Sequence, residues 1–363
     1  MKKKHIYLIP GPTKVPAKIS RAYQRDFYTA NLEKDFETIY KETAKNLAKI
    51  MQTKNQVVML SGEAMVGLWA GLKNTLKSGD RVLAIDNGIF GHGIGEMAKS
   101  IGANVLTLSF DYDKAPTDYN KIAAAIKKHK PKMITAVHCE TPSGMLNPLL
   151  KIGTLKKQFK VPLFYVDAVA SVGGAEVKVD DWNIDICLGG GQKALSTFPD
   201  LGFLSISKTA WEHIEKIAYV GYDALSPLQN PFQYPYFTYA QNWGGVAALN
   251  IASKMLLQEG LENVFLRHKK ASQFCIQKIR TMGLEIYPAD EKYSSPTVTA
   301  VKIPKNISWQ KLNKSLLANG LSVGGSFGPL AGKIFRIGHM GSQTNLMLLK
   351  QGFGIFEKVL VER

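Results

Sequence analysis

Short apolar runs alternate with helical segments through the first half of the chain, and this alternation constrains the fold most. Each run has about five mainly apolar residues, which fits the usual length of a strand. The runs lie at 56–60, 81–85, 132–138, 161–167, 184–190 and 202–207. Continuously apolar strands between helices are typical of a buried, mostly parallel sheet. The first half therefore predicts a three-layer α/β domain.

The pattern changes after about residue 205. A segment rich in Tyr, Phe and Pro (219–243) precedes a long helical pattern from Gly245 to Met282, and three further apolar runs and two helices follow. This second part predicts a small α+β domain, and 363 residues are too many for one small core. We predict an N-terminal arm (1–16), a large domain (17–255) and a small C-terminal domain (256–363). The boundary between the two domains is expected inside the long helix.

The formal net charge of +17 raises the possibility of a nucleic-acid partner. Against it, the basic residues are scattered along amphipathic segments such as 121–132 and 151–160, which is typical of solvated helix faces. The only compact basic run is Lys2 to Lys4. A basic module that binds nucleic acid, with affinity that falls steeply with salt, is therefore a remote alternative.

The cysteines and apolar runs bear on location. Cys139, Cys187 and Cys275 lie far apart and form neither a disulfide framework nor a metal-binding pair, so we expect a reducing, cytoplasmic compartment. The histidines show no metal-binding spacing, so no metal site is predicted. No apolar run approaches the roughly 20 residues that span a bilayer, so no membrane partner is predicted.

Candidate ligand-binding residues follow the predicted strands, because ligands of open α/β sheets bind beyond the carboxyl ends of the strands. Ser61, Gly62 and Glu63 open a helix whose N-terminus would attract an anion. The alternative is ordinary capping of that helix by Ser61. Phe90 lies between glycines, where it would stack on a flat ligand or pack in the core. Thr141 lies in a predicted turn.

Asp167 and Lys193 are the most informative of these residues. Asp167 ends an apolar strand and needs a partner there, either the next helix or a cationic ligand nitrogen. Lys193 follows three glycines and Gln192, and a lysine with little water around it has a lowered pKa and an available neutral amine. An anion site, a ring stacker, a carboxylate and such a lysine together match pyridoxal phosphate.

Seven motifs occur in the order seen in the class V pyridoxal-phosphate-dependent aminotransferases, and the resemblance covers nearly the whole chain. They are YLIPGPTKVP, SGEA, NGIFG, ETPSGMLNP, VDAVASVGG, GGGQKALS and FRIGHMG. The chain most resembles the alanine–glyoxylate / serine–pyruvate aminotransferase group. The resemblance implies the type I PLP-dependent transferase fold, with a mostly parallel seven-stranded sheet in the large domain and a small C-terminal α+β domain. It also implies a homodimer with shared active sites.

The same resemblance implies a role for each matched residue. Lys193 would form the internal aldimine and serve as the proton-transfer base, and Asp167 would pair with the pyridine nitrogen. The other implied contacts are Val169 and Phe90 with the cofactor ring, Thr141 with its hydroxyl, Ser61, Gly62 and Gln192 with the phosphate, Arg336 with the substrate carboxylate, Gly11 with the substrate pocket, and Thr238 with the partner subunit's phosphate.

Two positions depart from the family pattern. Glu63 stands near the phosphate, where a neutral residue or His is common, and a carboxylate there opposes a dianion unless it turns away. The borrowed motif is usually Tyr-x-x-Thr, but Pro235 stands three positions before Thr238. Tyr234 and Tyr236 are possible substitutes for the missing tyrosine.

The expected reaction is transamination between alanine or serine and glyoxylate or pyruvate. Two related reactions remain as alternatives. The chain resembles pyridoxamine–pyruvate aminotransferase at TPSG, SPTVTAV and RIGHMG, and it shares patterns at ETPSGMLNP and FRIG with 2-aminoethylphosphonate–pyruvate aminotransferase. A cysteine desulfurase is disfavoured, since Cys275 lies in a predicted helix rather than in a loop.

Overall fold

The computed structural model describes residues 5–28, 34–233 and 239–361. Its strands are β1 (Ile6–Leu8), β2 (Gln56–Ser61), β3 (Arg81–Asp86), β4 (Asn104–Ser109), β5 (Met133–Val137), β6 (Cys139–Glu140), β7 (Met145–Leu146), β8 (Leu163–Asp167), β9 (Ile186–Gly190), β10 (Leu201–Ile206), β11 (Val298–Lys302), β12 (Leu321–Gly325) and β13 (Ile334–Gly338). Its helices are α1 (Ala17–Tyr23), α2 (Lys34–Ile50), α3 (Ala64–Thr75), α4 (Ile89–Ser100), α5 (Tyr119–His129), α6 (Leu150–Gln158), α7 (Lys208–Ile217), α8 (Ser226–Gln229), α9 (Trp243–Glu259), α10 (Leu261–Thr281), α11 (Trp309–Ala318) and α12 (Leu346–Val361).

The large sheet has the strand order β2-β10-β9-β8-β5-β3-β4, seven strands within the described residues. β10 is antiparallel to both of its neighbours, and the other pairs are parallel. The predicted mostly parallel seven-stranded sheet is confirmed. Because β2 and β9 both oppose β10, they point the same way as β8, and the carboxyl ends of these strands meet at one edge.

The inner strands form where the sequence is continuously apolar. β5 and β8 are buried at every position, as expected for strands covered by helices on both faces. Side chains define several helix starts: Asp118 accepts a hydrogen bond from Lys121 N at the start of α5. The last turn of α5 carries two lysines and a histidine, which suits the negative end of the helix dipole.

A second sheet joins the two ends of the chain. Its order among the described residues is β1-β12-β13-β11, with β1 parallel to β12. Ile6 and Leu8 of β1 pack in one cluster with Phe335, Phe353 and Phe356. Part of the predicted N-terminal arm, Ile6–Leu8, therefore contributes a strand to the second sheet.

The long helical pattern is two helices. Gly260, with a φ of +85°, separates α9 from α10, because a left-handed backbone cannot continue a helix and favours glycine. α9 packs against α1 and α2 in the large domain, while Ala271 and Cys275 of α10 join the apolar cluster of the second sheet. The exact domain boundary stays a prediction.

The described residues contain neither a candidate membrane-spanning helix nor a candidate metal site. None of the described helices combines the length and the apolar character needed to cross a membrane. Within the same residues, no three His, Cys, Asp or Glu side chains are grouped so that they would hold a metal ion.

The packing of α3 on β8 fixes the start of α3 relative to Asp167. Tyr165, two positions before Asp167, is 1% exposed and lies against Gly71 of α3. Its hydroxyl donates toward the carbonyl oxygens of Gly67 and Leu68, at 3.1 and 3.2 Å. A Cβ atom added at Gly71 would be 2.6 Å from the Tyr165 ring, so the close approach requires glycine.

We therefore expect Gly71→Ala to destabilise the protein. The buried Tyr165 ring cannot move away, and overpacking of this kind costs about 1–3 kcal/mol of unfolding free energy. Chemical denaturation measures this loss.

Gly93→Ala is the matched control, because Gly93 also lies within a helix but an added Cβ would meet nothing within 4 Å. We expect it to be neutral or to stabilise by up to about 1 kcal/mol, since alanine favours helix. Equal stability of the two variants would contradict the packing argument.

Candidate active site

The carboxyl ends of the parallel strands carry most of the predicted site residues. β2 ends at Ser61 and β8 ends at Asp167, while Lys193 follows the end of β9 by three positions. Phe90 lies in the first turn of α4, and Thr141 directly follows β6. The sheet therefore brings these residues to one edge, where α/β proteins bind their ligands.

Lys193 is largely enclosed by the N-terminal segment. Its Nζ donates to the carbonyl oxygen of Pro10 at 3.0 Å. Its stem packs so closely on Gly11 that an added Cβ there would be 2.6 Å from Lys193 Cδ. Burial lowers the pKa of Lys193, and the charge of Arg336 lowers it further, while Glu63 opposes this effect. The amine is thus held closer to its neutral form than in water, as imine chemistry requires.

Hydrogen bonds fix the Lys193 loop from two sides. The Thr13 N–H donates to the carbonyl of Gln192 at 3.0 Å, and the Thr13 hydroxyl donates to the carbonyl of Lys193 at 3.0 Å. From the C-terminal part of the chain, the Ser342 N–H donates to Ser196 Oγ at 2.8 Å. These contacts restrict the position of the lysine backbone.

Asp167 is buried, with one oxygen committed and one available. Oδ1 accepts the N–H of Val169 at 2.9 Å, so this oxygen caps the following turn. Oδ2 accepts no hydrogen bond from the described residues. Burial raises the pKa of Asp167 to about 6, against the effects of the Val169 N–H and of Lys193. Capping and an interaction with a cationic ligand are therefore compatible at this residue.

Glu63, and not Ser61, caps α3. Glu63 Oε2 accepts the N–H of Met65 at 2.9 Å, and Oε1 accepts a hydrogen bond from the side-chain amide of Gln192. Ser61 Oγ instead accepts the N–H of Asn242 at 3.0 Å. The alternative interpretation of Ser61 as the helix cap is therefore wrong. A carboxylate of the chain itself occupies the positive end of this helix.

Gly62 and Gln192 border the same helix start. Gly62 has a φ of +133°, and an added Cβ would be 2.7 Å from Val66, so glycine is needed there. Gln192 is 2% exposed, and its Oε1 has no hydrogen-bond donor among the described residues. A buried amide oxygen without a partner is costly unless a ligand or water satisfies it.

Arg336 is a buried guanidinium without a carboxylate. It lies in β13, 8% exposed, and its Nε donates to the carbonyl oxygen of Gly325 at 2.8 Å. It forms no ion pair with any residue that the structure describes. Burial lowers the pKa of Arg336 to about 10. Since an unpaired buried charge is unfavourable, the two Nη groups favour an incoming acid.

The remaining predicted site residues are Phe90, Val169, Thr141 and Thr238. Phe90 is half-buried at the start of α4, and Val169 is buried beside Asp167. Thr141 is buried, and its hydroxyl forms no hydrogen bond with the described residues. Thr238 lies outside the described residues, so its contact with a partner subunit stays a prediction.

Sequence reasoning missed Glu140. This residue is fully buried and fills the N-terminus of α4, where its two carboxylate oxygens accept the N–H groups of Gly91 at 2.6 Å and Phe90 at 3.3 Å. Burial raises the pKa of Glu140 to about 8, although these N–H groups oppose the change and Asp167 adds to it. The signal in the sequence is a carboxylate two positions after the apolar run 132–138, similar to the signal that identified Asp167.

The ring end of this site fits pyridoxal phosphate. The enclosed amine of Lys193, the free oxygen of Asp167 and the aromatic ring of Phe90 match its aldehyde, its pyridine nitrogen and its ring. At the phosphate end, Glu63 competes for the helix N-terminus. Glu63 is partly exposed, so its side chain has solvent to turn into.

Comparisons with known proteins agree with this chemistry. The family model for class V aminotransferases matches residues 7–334. A curated relative, (S)-ureidoglycine–glyoxylate transaminase of Bacillus subtilis, is 34% identical over 92% of this chain and 85% of its own. Serine–glyoxylate aminotransferase of Methylorubrum extorquens is 30% identical over 95% of this chain and 88% of its own.

Solved structures give the same result. Ureidoglycine–glyoxylate aminotransferase from Bacillus subtilis superimposes with a TM-score of 0.93 at 32% identity, over 100% of this chain and 94% of that one. Pyridoxamine–pyruvate aminotransferase from Mesorhizobium loti gives 0.92 at 26% identity, over 99% and 93%. The chain therefore belongs to the class V aminotransferases, enzymes that use pyridoxal phosphate as cofactor.

Proposed function

We propose that this enzyme transfers the amino group of a small amino acid, alanine or serine, to glyoxylate or pyruvate. The observation that carries the proposal is the pair of Lys193 and Arg336. Both side chains lie beside Pro10: Lys193 Nζ donates to its carbonyl oxygen, and a Cβ added at Gly324 would lie 2.7 Å from Pro10 Cδ and 3.5 Å from Arg336 Nη2. Arg336 forms no ion pair with the described residues, and its charge lowers the pKa of Lys193. Several relatives support the choice of a 2-oxo acid, since their names pair an amino donor with glyoxylate or pyruvate.

Lys193 and Asp167 act on the cofactor in this proposal. When bound, pyridoxal phosphate supplies an aldehyde that condenses with amines and a ring that withdraws electrons. The Lys193 amine, kept near its neutral form, holds the cofactor and then takes the α-proton of the amino donor at Nζ. Asp167 Oδ2 would accept a hydrogen bond from the protonated pyridine nitrogen, Phe90 and Val169 would pack on the ring, and Thr141 would lie beside its hydroxyl.

Arg336 binds both substrates through the group that they share. An amino acid and a 2-oxo acid each carry a carboxylate next to the reacting carbon, and a planar guanidinium binds a carboxylate through two parallel hydrogen bonds. Gly11 leaves room for the Lys193 side chain, because any side chain at position 11 would collide with the lysine stem. We expect Gly11 to line the substrate pocket beside Lys193. Ser61, Gly62 and Gln192 would hold the phosphate.

We also propose that the enzyme is a homodimer in which Thr238 of one protomer contacts the phosphate in the other. Val220 and Tyr222, in the segment that leads to Thr238, are 91% and 77% exposed. Apolar side chains with this much exposed surface suit burial by a partner. The three free, buried cysteines support a reducing compartment, the cytoplasm.

The position of Glu63 supports a second candidate, transfer from pyridoxamine to pyruvate. A carboxylate at the start of α3 disfavours a phosphate dianion and tolerates an unphosphorylated ring. Pyridoxamine–pyruvate transaminase of Mesorhizobium japonicum is 28% identical over 93% of this chain.

The decisive experiment is a donor panel. Purified holoenzyme is mixed with alanine, serine or 2-aminoethylphosphonate, and loss of the visible cofactor band is followed with and without glyoxylate or pyruvate. For pyridoxamine, the formation of pyridoxal in the presence of pyruvate is followed instead. We expect alanine or serine to react fastest. Conversion of pyridoxamine without conversion of the other donors would favour the second candidate. Sedimentation of the same sample is expected to give twice the mass of one chain.

Lys193→Ala tests the assignment of the lysine. We expect the visible band to disappear and turnover to fall by at least about 1,000-fold, since both the covalent link and the proton-transfer base are lost. Lys127→Ala, on exposed α5, is the control and should retain both. A yellow, active Lys193→Ala enzyme would overturn the assignment.

Arg336→Gln should change both substrate binding and pH dependence. Loss of charged hydrogen bonds should raise KM for both substrates by about 10- to 100-fold. Removal of a positive neighbour stabilises protonated Lys193 and raises its pKa, so cofactor capture by the apoenzyme should need a higher pH.

Arg336→Lys separates these two effects. It keeps the positive charge, so the pH profile of cofactor capture should stay near that of wild type. KM should still rise, because lysine cannot form the bidentate contact with a carboxylate. An unchanged profile in Arg336→Gln would contradict the electrostatic coupling to Lys193.

Glu63→Gln should favour the phosphorylated cofactor. The amide can still accept the Met65 N–H, but it no longer repels a dianion, so Kd for pyridoxal phosphate should fall by about 10-fold. Unphosphorylated pyridoxal is the matched control ligand, and its Kd should change by less than about 2-fold. Equal changes for both ligands would mean that Glu63 does not act on the phosphate.

A further inference from the structure

The loop between β12 and β13 places an aromatic ring beside Arg336. Phe327 is 41% exposed although it lies next to a buried guanidinium. The Arg336 Cζ atom lies over the Phe327 ring, 5.1 Å from its centroid. A cation over an aromatic face is attracted to it, and the attraction grows as water is excluded.

The same ring touches Phe90 on the large domain. The two centroids are 6.1 Å apart and the planes are 81° apart, an edge-to-face arrangement. Phe327 therefore lies between the side chain that we assign to the cofactor ring and the side chain that we assign to the substrate carboxylate.

The loop itself is fastened to the large domain. Ser326 Oγ donates to the carbonyl oxygen of Pro142 at 3.2 Å. Gly328 follows with a φ of +56°, and an added Cβ there would be 3.2 Å from Ile89 Cδ1 at the start of α4. The contacts of the residues before and after Phe327 thus restrict the position of its ring.

Two contacts then define the orientation of the guanidinium. Nε is held by the carbonyl oxygen of Gly325, and one face is covered by Phe327. No described carboxylate holds the Nη groups. Arginine loses rotamer freedom when it binds a ligand, and a guanidinium that is already oriented loses less.

We propose that Phe327 is a positioning residue that orients Arg336 for the carboxylates of both substrates. The inference rests on the proposed function, since it takes Arg336 as the carboxylate-binding residue. It assigns Phe327 an effect on binding that is shared by the amino acid and the 2-oxo acid and is absent for a donor without a carboxylate.

The test uses Phe327→Leu holoenzyme, which keeps an apolar side chain but loses the aromatic face. We expect KM for the amino donor and for the 2-oxo acid to rise together, by about 3- to 30-fold. We expect kcat to change by less than about 3-fold, because Lys193 and the cofactor are untouched. Phe327→Tyr should restore the wild-type KM values.

Two controls separate positioning from a general disturbance. Leu317→Ala removes a side chain of similar exposure, 44%, on α11 of the same domain, and should leave KM unchanged. Ethylamine as donor should react equally slowly with wild type and Phe327→Leu. Unchanged KM values in Phe327→Leu, or an equal loss with ethylamine, would overturn the proposal.

A direct measurement of pyruvate binding tests the role of Phe327 independently of turnover. Calorimetric titration of the holoenzyme with pyruvate, in the absence of any donor, should give a higher Kd for Phe327→Leu than for wild type. If wild type converts no donor of the panel, the proposed function fails, and the titration still tests Phe327. If wild type turns over but pyruvate binds both proteins equally, only the role of Phe327 fails.

Discussion

The removal of Lys193 from water is the constraint on which the rest of the site depends. The N-terminal segment achieves it by passing directly over the lysine, so close that only glycine fits at position 11. The segment must therefore be held accurately, and it is held at both of its ends. β1 pairs with β12 before this point, and Thr13 binds the lysine loop after it.

Charged residues from both sheets border the site. The large sheet supplies Asp167 and Lys193, and β13 of the small sheet supplies Arg336. The N-terminal segment crosses from one to the other, and Gln343 also donates to the carbonyl oxygen of Ile9 at 2.8 Å. A shift of the small domain would therefore move both Arg336 and the segment that covers Lys193.

Most of the large sheet was predictable, because its inner strands are continuously apolar. β4 was missed, since this edge strand is partly exposed along its length and has no such run. The break at Gly260 was visible only as one glycine in a helical pattern. The pairing of β1 with β12 joins residues more than 300 positions apart, and no local signal specifies it. Glu63 as cap and Phe327 beside Arg336 depend on side-chain positions, which residue type alone does not give.

Both helix N-termini at this edge already hold a carboxylate of the chain, and the difference between the two carboxylates has a consequence for the cofactor. Glu140 at α4 is fully buried, and a Cβ added at Gly88 would lie 2.3 Å from its carboxyl carbon. The Glu140 side chain therefore has no space into which it could turn. Glu63 at α3 is partly exposed and has a route to solvent. An incoming anion can displace only a carboxylate that is able to rehydrate. Access to water, rather than the strength of either helix dipole, thus distinguishes the start of α3, where we propose that the phosphate binds, from the start of α4.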